Sequence, residues 1–214
     1  MSNLLAGDIV FTNSFVDQTG TGFGNVINVL SLQNDPSEFG SILLDSGGND
    51  VEAGNATNQS QTRTVQELTD EGVNSSNFGI VLNINEAGPT PRDLTLNDFS
   101  FRFYTDTSDL TQFFDLTFDA PAGGLTLLEI DSGNGKSGWL FSAQFTPAEA
   151  SAFFADPDNR VGAFVVSGQA ITGTTDGADS FRIIAIPEPS TTAAIGLGCL
   201  LLLARGRWMH RRRV

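Results

Sequence analysis

The side chains that could carry out chemistry in this sequence are almost all carboxylates. The chain has 214 residues, with 25 Asp and Glu against 11 Lys and Arg, and it contains one Cys, one His and one Lys. Cys199 and His210 both lie close to the C-terminus, and Lys136 stands alone. A Ser-His-Asp or Cys-His triad, a Cys/His zinc site and a disulfide framework are therefore excluded from residues 1–186.

Paired carboxylates could hydrolyse a glycosidic bond if they stood about 5 to 9.5 Å apart. With 25 acidic residues some pairs meet that spacing by chance, and no single acid stands out in an apolar segment. We therefore expect a protein that is not an enzyme. A carboxylate-based glycoside hydrolase remains the third of the functional interpretations.

Asp and Asn cluster in loops, and calcium takes oxygen ligands of this kind. No loop has the twelve-residue EF-hand spacing. The best calcium candidates are Asp131, Asn134, Asp176 and Asp179. Asp, Asn and Gly are also ordinary turn residues, which is the preferred interpretation, so no cofactor is expected unless calcium binds here.

Aromatic composition bears on ligand binding, because faces that stack on sugars usually present Trp or Tyr. The chain has 17 Phe against two Trp and one Tyr. Tyr104 and Trp139 are therefore the only candidates for such a face before the C-terminal segment. A core or rim position for Trp139 is the competing interpretation.

Short segments rich in Val, Ile, Phe, Thr and Leu recur between turns, a pattern typical of an all-β sandwich. The candidate strands are 8–12, 25–32, 39–44, 79–84, 94–104, 113–118, 124–130, 138–145, 161–167 and 179–185. A phase slip at Asn97-Asp98 predicts a β-bulge within the strand 94–104. The polar stretch 49–63 is interpreted as a loop.

Two capping boxes predict short helices between the strands. Thr64 with Glu67 predicts a helix over about 64–71, and Thr146 with Glu149 predicts one over about 147–155. Strands with two short helices indicate a jelly-roll-like β-sandwich over residues 1–186. A separate apolar helix is expected near the C-terminus.

The composition changes abruptly at Pro187. Residues 1–189 hold all 25 acids and six of the 11 bases, a net charge of −19 that excludes nucleic-acid binding. The rest holds an apolar run, 193–204, and five arginines: Arg205, Arg207, Arg211, Arg212 and Arg213. Twelve helical residues rise only about 18 Å against a bilayer core of about 30 Å, so the flanks must help this segment to anchor. A buried C-terminal helix with a basic end is the alternative.

The motif Pro187-Glu188-Pro189, the apolar helix 193–204 and the Arg-rich end 205–213 together resemble the PEP-CTERM sorting signal, also known as the ice-binding protein C-terminal domain. The resemblance covers residues 187–214 only. It implies an exported protein of Gram-negative bacteria that an exosortase-like enzyme cleaves near the Pro-Glu-Pro motif. The apolar run would hold the precursor in the membrane, and the arginines would stop transfer.

An exported protein needs a signal peptide, and Met1–Gly7 has neither a basic region nor a long apolar stretch. We expect that Met1 is internal to a longer gene. The resemblance then implies a membrane-anchored precursor with its body outside the cytoplasm, and a mature form at the cell surface or in an extracellular polysaccharide matrix. The body, 1–186, is expected to be structural or adhesive. A carbohydrate-binding or calcium-dependent lectin-like module is the runner-up.

Overall fold

The computed structural model describes residues 7–16, 27–86, 92–130, 136–175 and 177–186. This part of the chain is mostly β-strand, in three antiparallel sheets with two α-helices. The predicted all-β class with two short helices is therefore confirmed. The predicted apolar helix 193–204 lies outside the described residues.

In chain order the strands are β1 (Asp8–Val16), β2 (Ile27–Leu32), β3 (Ser37–Glu38), β4 (Gly40–Leu44), β5 (Asp50–Gly54), β6 (Arg63–Thr64), β7 (Phe78–Ile84), β8 (Asp93–Leu96), β9 (Phe99–Tyr104), β10 (Phe113–Phe118), β11 (Leu125–Leu128), β12 (Ser137–Gln144), β13 (Arg160–Val165), β14 (Ile171–Thr172) and β15 (Asp179–Ala185). The helices are α1 (Val65–Asp70) and α2 (Pro147–Phe153), and Ser167–Gln169 forms one 3₁₀ turn. A five-stranded sheet has the order β1-β12-β7-β15-β2. A six-stranded sheet has the order β10-β9-β13-β4-β5, with β6 also paired to β13, and a four-stranded sheet has the order β11-β8-β14-β3.

The five-stranded and six-stranded sheets face each other across a core of phenylalanines. The Phe99 ring lies 5.2 Å from the Phe141 ring and 4.8 Å from the Phe181 ring, measured between centroids. The Phe103 ring lies 5.7 Å from that of Phe78. All five side chains are at most 2% exposed. Because buried aromatic side chains remove large apolar areas from water, this seam contributes much of the contact between the two sheets.

Both helices begin where their capping boxes predict. The Thr64 hydroxyl accepts from the Glu67 N–H at 3.1 Å, and the Thr64 N–H donates to the Glu67 carboxylate at 2.8 Å. Thr146 and Glu149 make the same reciprocal pair at 3.3 and 2.8 Å. The Glu149 carboxylate also accepts from the Gly7 N–H at 3.1 Å, so the second box ties the helix to the residue before β1.

The predicted bulge at Asn97-Asp98 is wrong, because the chain changes sheet there. Strand β8 belongs to the four-stranded sheet and β9 to the six-stranded sheet. Side-chain bonds fix this corner: the Asn97 amide donates to the Ala170 carbonyl at 2.7 Å, and the Asp98 carboxylate accepts from the Ala120 N–H at 2.7 Å. The phase slip in the sequence therefore marks a break between two strands.

Interpreting residues 49–63 as a loop also missed a strand. Residues Asp50–Gly54 pair with β4 along the edge of the six-stranded sheet, and all five are exposed. An edge strand exposed on both faces has no alternating apolar pattern, which explains why its sequence resembles a loop.

Candidate functional site

An open groove of about 400 Å³ lies on the six-stranded sheet, on the side away from the phenylalanine core. Its volume is within the range of ordinary ligand pockets. The lining includes Phe39, Ser41, Leu43, Arg102, Phe164 and Val166. Strand alternation explains the position, since Arg102 and Phe164 lie between residues that point into the core.

Strand register places one charged side chain, Arg102, in the described lining of the groove. Arg102 on β9 lies opposite Asp115 on β10 and opposite Gly162 on β13. A Cβ on Gly162 would lie 2.3 Å from the Ile42 carbonyl oxygen, so no larger residue fits there without backbone movement. Gly162 is buried there, in contact with the neighbouring strand β4.

Arg102 is held in a fixed orientation. Its Nε and Nη2 atoms donate to the two carboxylate oxygens of Asp115, each at 2.8 Å. The guanidinium carbon lies 3.8 Å from the centroid of the Phe113 ring and 5.5 Å from that of Phe164. The hydrogen bond with Asp115 raises the pKa of Arg102 above its ordinary value. The guanidinium is therefore a permanent cation framed by two aromatic rings.

The groups that the groove presents are suited to binding a ligand. None of the described residues that line it is a carboxylate, His or Cys, so these residues supply neither a pair of acids nor a nucleophile with a base. Ring faces, aliphatic side chains, the Arg102 guanidinium and the Ser41 hydroxyl are groups that stack on a ligand or form hydrogen bonds with it.

The two predicted sugar-stacking residues lie elsewhere. Tyr104 is 3% exposed and its hydroxyl accepts from the Leu44 N–H at 3.0 Å, so it presents no ring face to solvent. The Trp139 indole is partly buried against Phe11 and Phe15 and donates to the Leu128 carbonyl at 2.9 Å. Neither residue lines the groove.

The exposed aromatic residue Phe113 and the groove residue Phe164 were not predicted as site residues, because Phe was assigned to the core. Phe113 is 42% exposed and Phe164 is partly exposed. The available signal was alternation: both positions are out of phase with the core residues of their strands, Leu116 and Val165.

Three of the four calcium candidates, Asp131, Asn134 and Asp176, lie outside the described residues. The fourth, Asp179, lies at the start of β15 and is 1% exposed. Within residues 7–16, 27–86, 92–130, 136–175 and 177–186, no group of three or more His, Cys, Asp or Glu is arranged to hold a metal ion.

Asp179 instead joins a cluster of buried carboxyl groups. Glu38 on β3 and Glu86, just after β7, are 0% and 5% exposed, and both act electrostatically on Asp179. Burial, followed by these two charges, raises the pKa of Asp179 well above its ordinary value. No local pattern in the sequence predicts this cluster, because its members are far apart along the chain.

Two of the Asp-rich loops are turns. The Asp45 carboxylate accepts from the N–H groups of Gly47 and Asn49 at 2.8 and 2.9 Å, and hydrogen bonds of this kind lower its pKa. The Asp156 carboxylate accepts from the Asp158 N–H at 2.9 Å. The preferred turn interpretation therefore accounts for both loops.

The predicted sorting residues, Pro187, Glu188, Pro189, Arg205, Arg207, Arg211, Arg212 and Arg213, all lie outside the described residues. Of the helices in the described ranges, none has both the length and the hydropathy needed to cross a bilayer. In comparisons with known proteins, no family model, curated protein or solved structure matches the chain.

Proposed function

We propose that the chain is an exported bacterial surface or extracellular-matrix protein with a C-terminal exosortase-type sorting signal and a structural or adhesive body. One observation carries the proposal. The motif Pro187-Glu188-Pro189, the apolar run 193–204 and the arginines of 205–213 follow one another in the order of the PEP-CTERM signal.

The distribution of charge supports this proposal. Basic residues next to a membrane segment stay on the cytoplasmic side, so the five terminal arginines orient the acidic body to the opposite side. The apolar run 193–204 then forms a short helical anchor, extended by its flanks. The exosortase-like enzyme would recognise Pro187, Glu188 and Pro189 and release the body from this anchor.

The body in this proposal is a jelly-roll-like β-sandwich without enzymatic activity. Its two larger sheets face each other across the phenylalanine core, which supports a sandwich architecture. Residues 1–189 carry a net charge of −19, which would keep the released body hydrated and soluble. Extracellular polysaccharide is the partner expected for such a body.

A double substitution, Pro187→Ala with Pro189→Ala, tests the sorting proposal. In a host with an exosortase-type system, we expect the variant to stay at the membrane as the uncleaved precursor, while its body remains folded. A matched control replaces two exposed prolines of the body, Pro121→Ala with Pro157→Ala, and should be cleaved and released. Unchanged release of the first variant would remove the proposal.

A carbohydrate-binding role is the second candidate, and the groove beside Arg102 is the observation that favours it. The partly exposed Phe164 ring and the Arg102 guanidinium offer stacking and hydrogen bonds to a sugar chain. A glycan array run with and without calcium tests this role and its lectin-like form. Loss of an array signal in Phe164→Ala, with the signal retained in Trp139→Phe, would assign binding to the groove.

A further inference from the structure

Three acidic side chains from distant parts of the chain meet between two of the sheets. Glu38 comes from β3 of the four-stranded sheet, where it lies opposite Ile171 of β14. Glu86 lies just after β7, and Asp179 is the first residue of β15. Both of these strands belong to the five-stranded sheet. All three are at most 5% exposed, so their carboxyl groups are shielded from water.

Within the described part of the chain, each of these carboxyl groups has one oxygen in a hydrogen bond and one oxygen without a partner. Glu38 Oε1 accepts from the Asn34 N–H at 3.1 Å, and Asp179 Oδ1 accepts from the Asn85 N–H at 2.8 Å. Glu86 Oε2 accepts from the Thr175 N–H and hydroxyl. The other oxygens, Glu38 Oε2, Glu86 Oε1 and Asp179 Oδ2, are buried and accept no hydrogen bond from the residues that the structure describes.

Burial and neighbouring acids disfavour the ionised forms of Glu38 and Asp179, whose pKa values are raised. A buried carboxylate with an unsatisfied oxygen loses several kcal/mol of hydration, and neighbouring carboxylates repel each other. Burial is the main cause that raises the pKa of Asp179, and the charges of Glu38 and Glu86 raise it further.

The other charged groups around the cluster do not neutralise it. Glu129, after β11, is a fourth buried acid, and its carboxylate accepts from the N–H groups of Glu86 and Arg92, each at 3.1 Å. The Arg92 side chain is exposed, as are Asp35 and Asp93 on the adjoining segments. Thr174 and Thr175, after β14, are uncharged. No arginine or lysine of the described ranges forms an ion pair with Glu38, Glu86 or Asp179.

We propose that Glu38, Glu86 and Asp179 form a proton-dependent joint between the four-stranded and five-stranded sheets, closed while it holds protons and opened when it loses them. In the closed joint, protons on the carboxyl groups remove the negative charge that no arginine or lysine of the described ranges neutralises. When the protons leave, like charges face each other where the two sheets meet, and the ends of β3 and β15 separate.

The direction of the pH dependence follows from the two shifted groups. Burial is the main cause that raises the pKa of Glu38, from 4.5 to about 8, and Glu86 adds to it. The pKa of Asp179 is raised for the same reasons. An acid with a raised pKa in the folded state stabilises the fold while it is protonated. That stabilisation is complete below pH 4.5 and disappears as the pH rises through about 8.

Thermal unfolding of the full chain in a mild detergent, at pH 5 to 9, tests the joint. We expect Tm to fall by roughly 10 °C or more across this range, given a pKa shift of this size in a chain of this length. The double variant Glu38→Gln with Asp179→Asn mimics the protonated groups. Its Tm should therefore decrease much less between pH 5 and pH 9. The control Glu52→Gln, at an exposed acid on β5, should show the full decrease. An equal fall in the double variant and the control would overturn the proposal.

A second measurement needs no substitution. Carboxyl ¹³C resonances of the full chain should show Glu38 and Asp179 titrating well above the other acids, and titration at ordinary values would overturn the proposal. Addition of 5 mM calcium at pH 8 distinguishes protons from a cation. We expect no rise in Tm, and a rise that Asp179→Asn abolishes would make the cluster a calcium site instead.

Discussion

Arg102 and Asp115 face each other across the β9–β10 pair and form two parallel hydrogen bonds of 2.8 Å. The side chains are 25% and 29% exposed, so this ion pair lies partly within the sheet surface. Bidentate geometry of this kind is specific to arginine, because lysine presents a single ammonium group. The pair orients Arg102, which is the one charged side chain among the described residues lining the groove.

Replacing Arg102 by Lys should therefore lower the free energy of unfolding by about 1 kcal/mol, which is the scale of a partly exposed ion pair with good geometry. The variant keeps the charge but loses one hydrogen bond and the planar contact with Phe113. Urea denaturation measures the loss. The control is Arg92→Lys at an exposed arginine, which should change little. Similar losses in the two variants would contradict this account of Arg102.

The second capping box, formed by Thr146 and Glu149, is expected to stabilise the start of α2. Thr146→Ala removes the hydroxyl that accepts from the Glu149 N–H, and it should cost about 1 kcal/mol of stability. Ser151→Ala, at an exposed position in the same helix, keeps the cap and should be neutral or slightly stabilising. Denaturant midpoints compare the two. If Thr146→Ala were as stable as Ser151→Ala, the cap would contribute nothing.

Among the core phenylalanines, we expect substitution of Phe103 to destabilise the fold most strongly. This ring is fully buried and contacts the rings of Phe78, Phe114 and Phe153 at 4.9 to 5.7 Å. Phe103→Ala should lower the free energy of unfolding by about 3–5 kcal/mol through lost burial and the cavity left behind. Phe113→Ala, at a ring that is 42% exposed, should lose less than half as much. Equal losses would show that the two rings are not packed as described.

Local patterns in the sequence predicted local structure well. The reciprocal pairs Thr64 with Glu67 and Thr146 with Glu149 predicted both helices, because a capping box is complete within four residues. Alternation predicted β7, although all seven of its residues are buried. The face of β7 that points away from the phenylalanine core is buried because Val81 packs with Val16, Leu140 and Ile184, which come from other strands of the same sheet.

Features that depend on distant partners could not be predicted in this way. The change of sheet at Asn97-Asp98 depends on bonds to Ala170 and Ala120, which no local pattern reveals. The groove needs β4, β5, β9 and β13 side by side. The carboxyl cluster joins Glu38 to Asp179 across 141 positions. A pairing of that range requires the sheet order, and a single sequence does not contain it.

In the proposed sorting signal, the five terminal arginines stop transfer of the chain across the membrane. Replacing Arg205, Arg207, Arg211, Arg212 and Arg213 by Gln leaves the motif 187–189 and the apolar run 193–204 intact but removes the positive charge that the proposed sorting signal would keep on the cytoplasmic side. Because the apolar run is short, we expect this variant to slip through the membrane, so that chains retaining the C-terminal peptide appear outside the cell. Fractionation followed by mass spectrometry of that peptide measures the effect. A control with Arg92→Gln and Lys136→Gln changes charge only in the body and should be processed normally. If the arginine variant were cleaved and released as efficiently as this control, the arginines would have no role in stopping transfer.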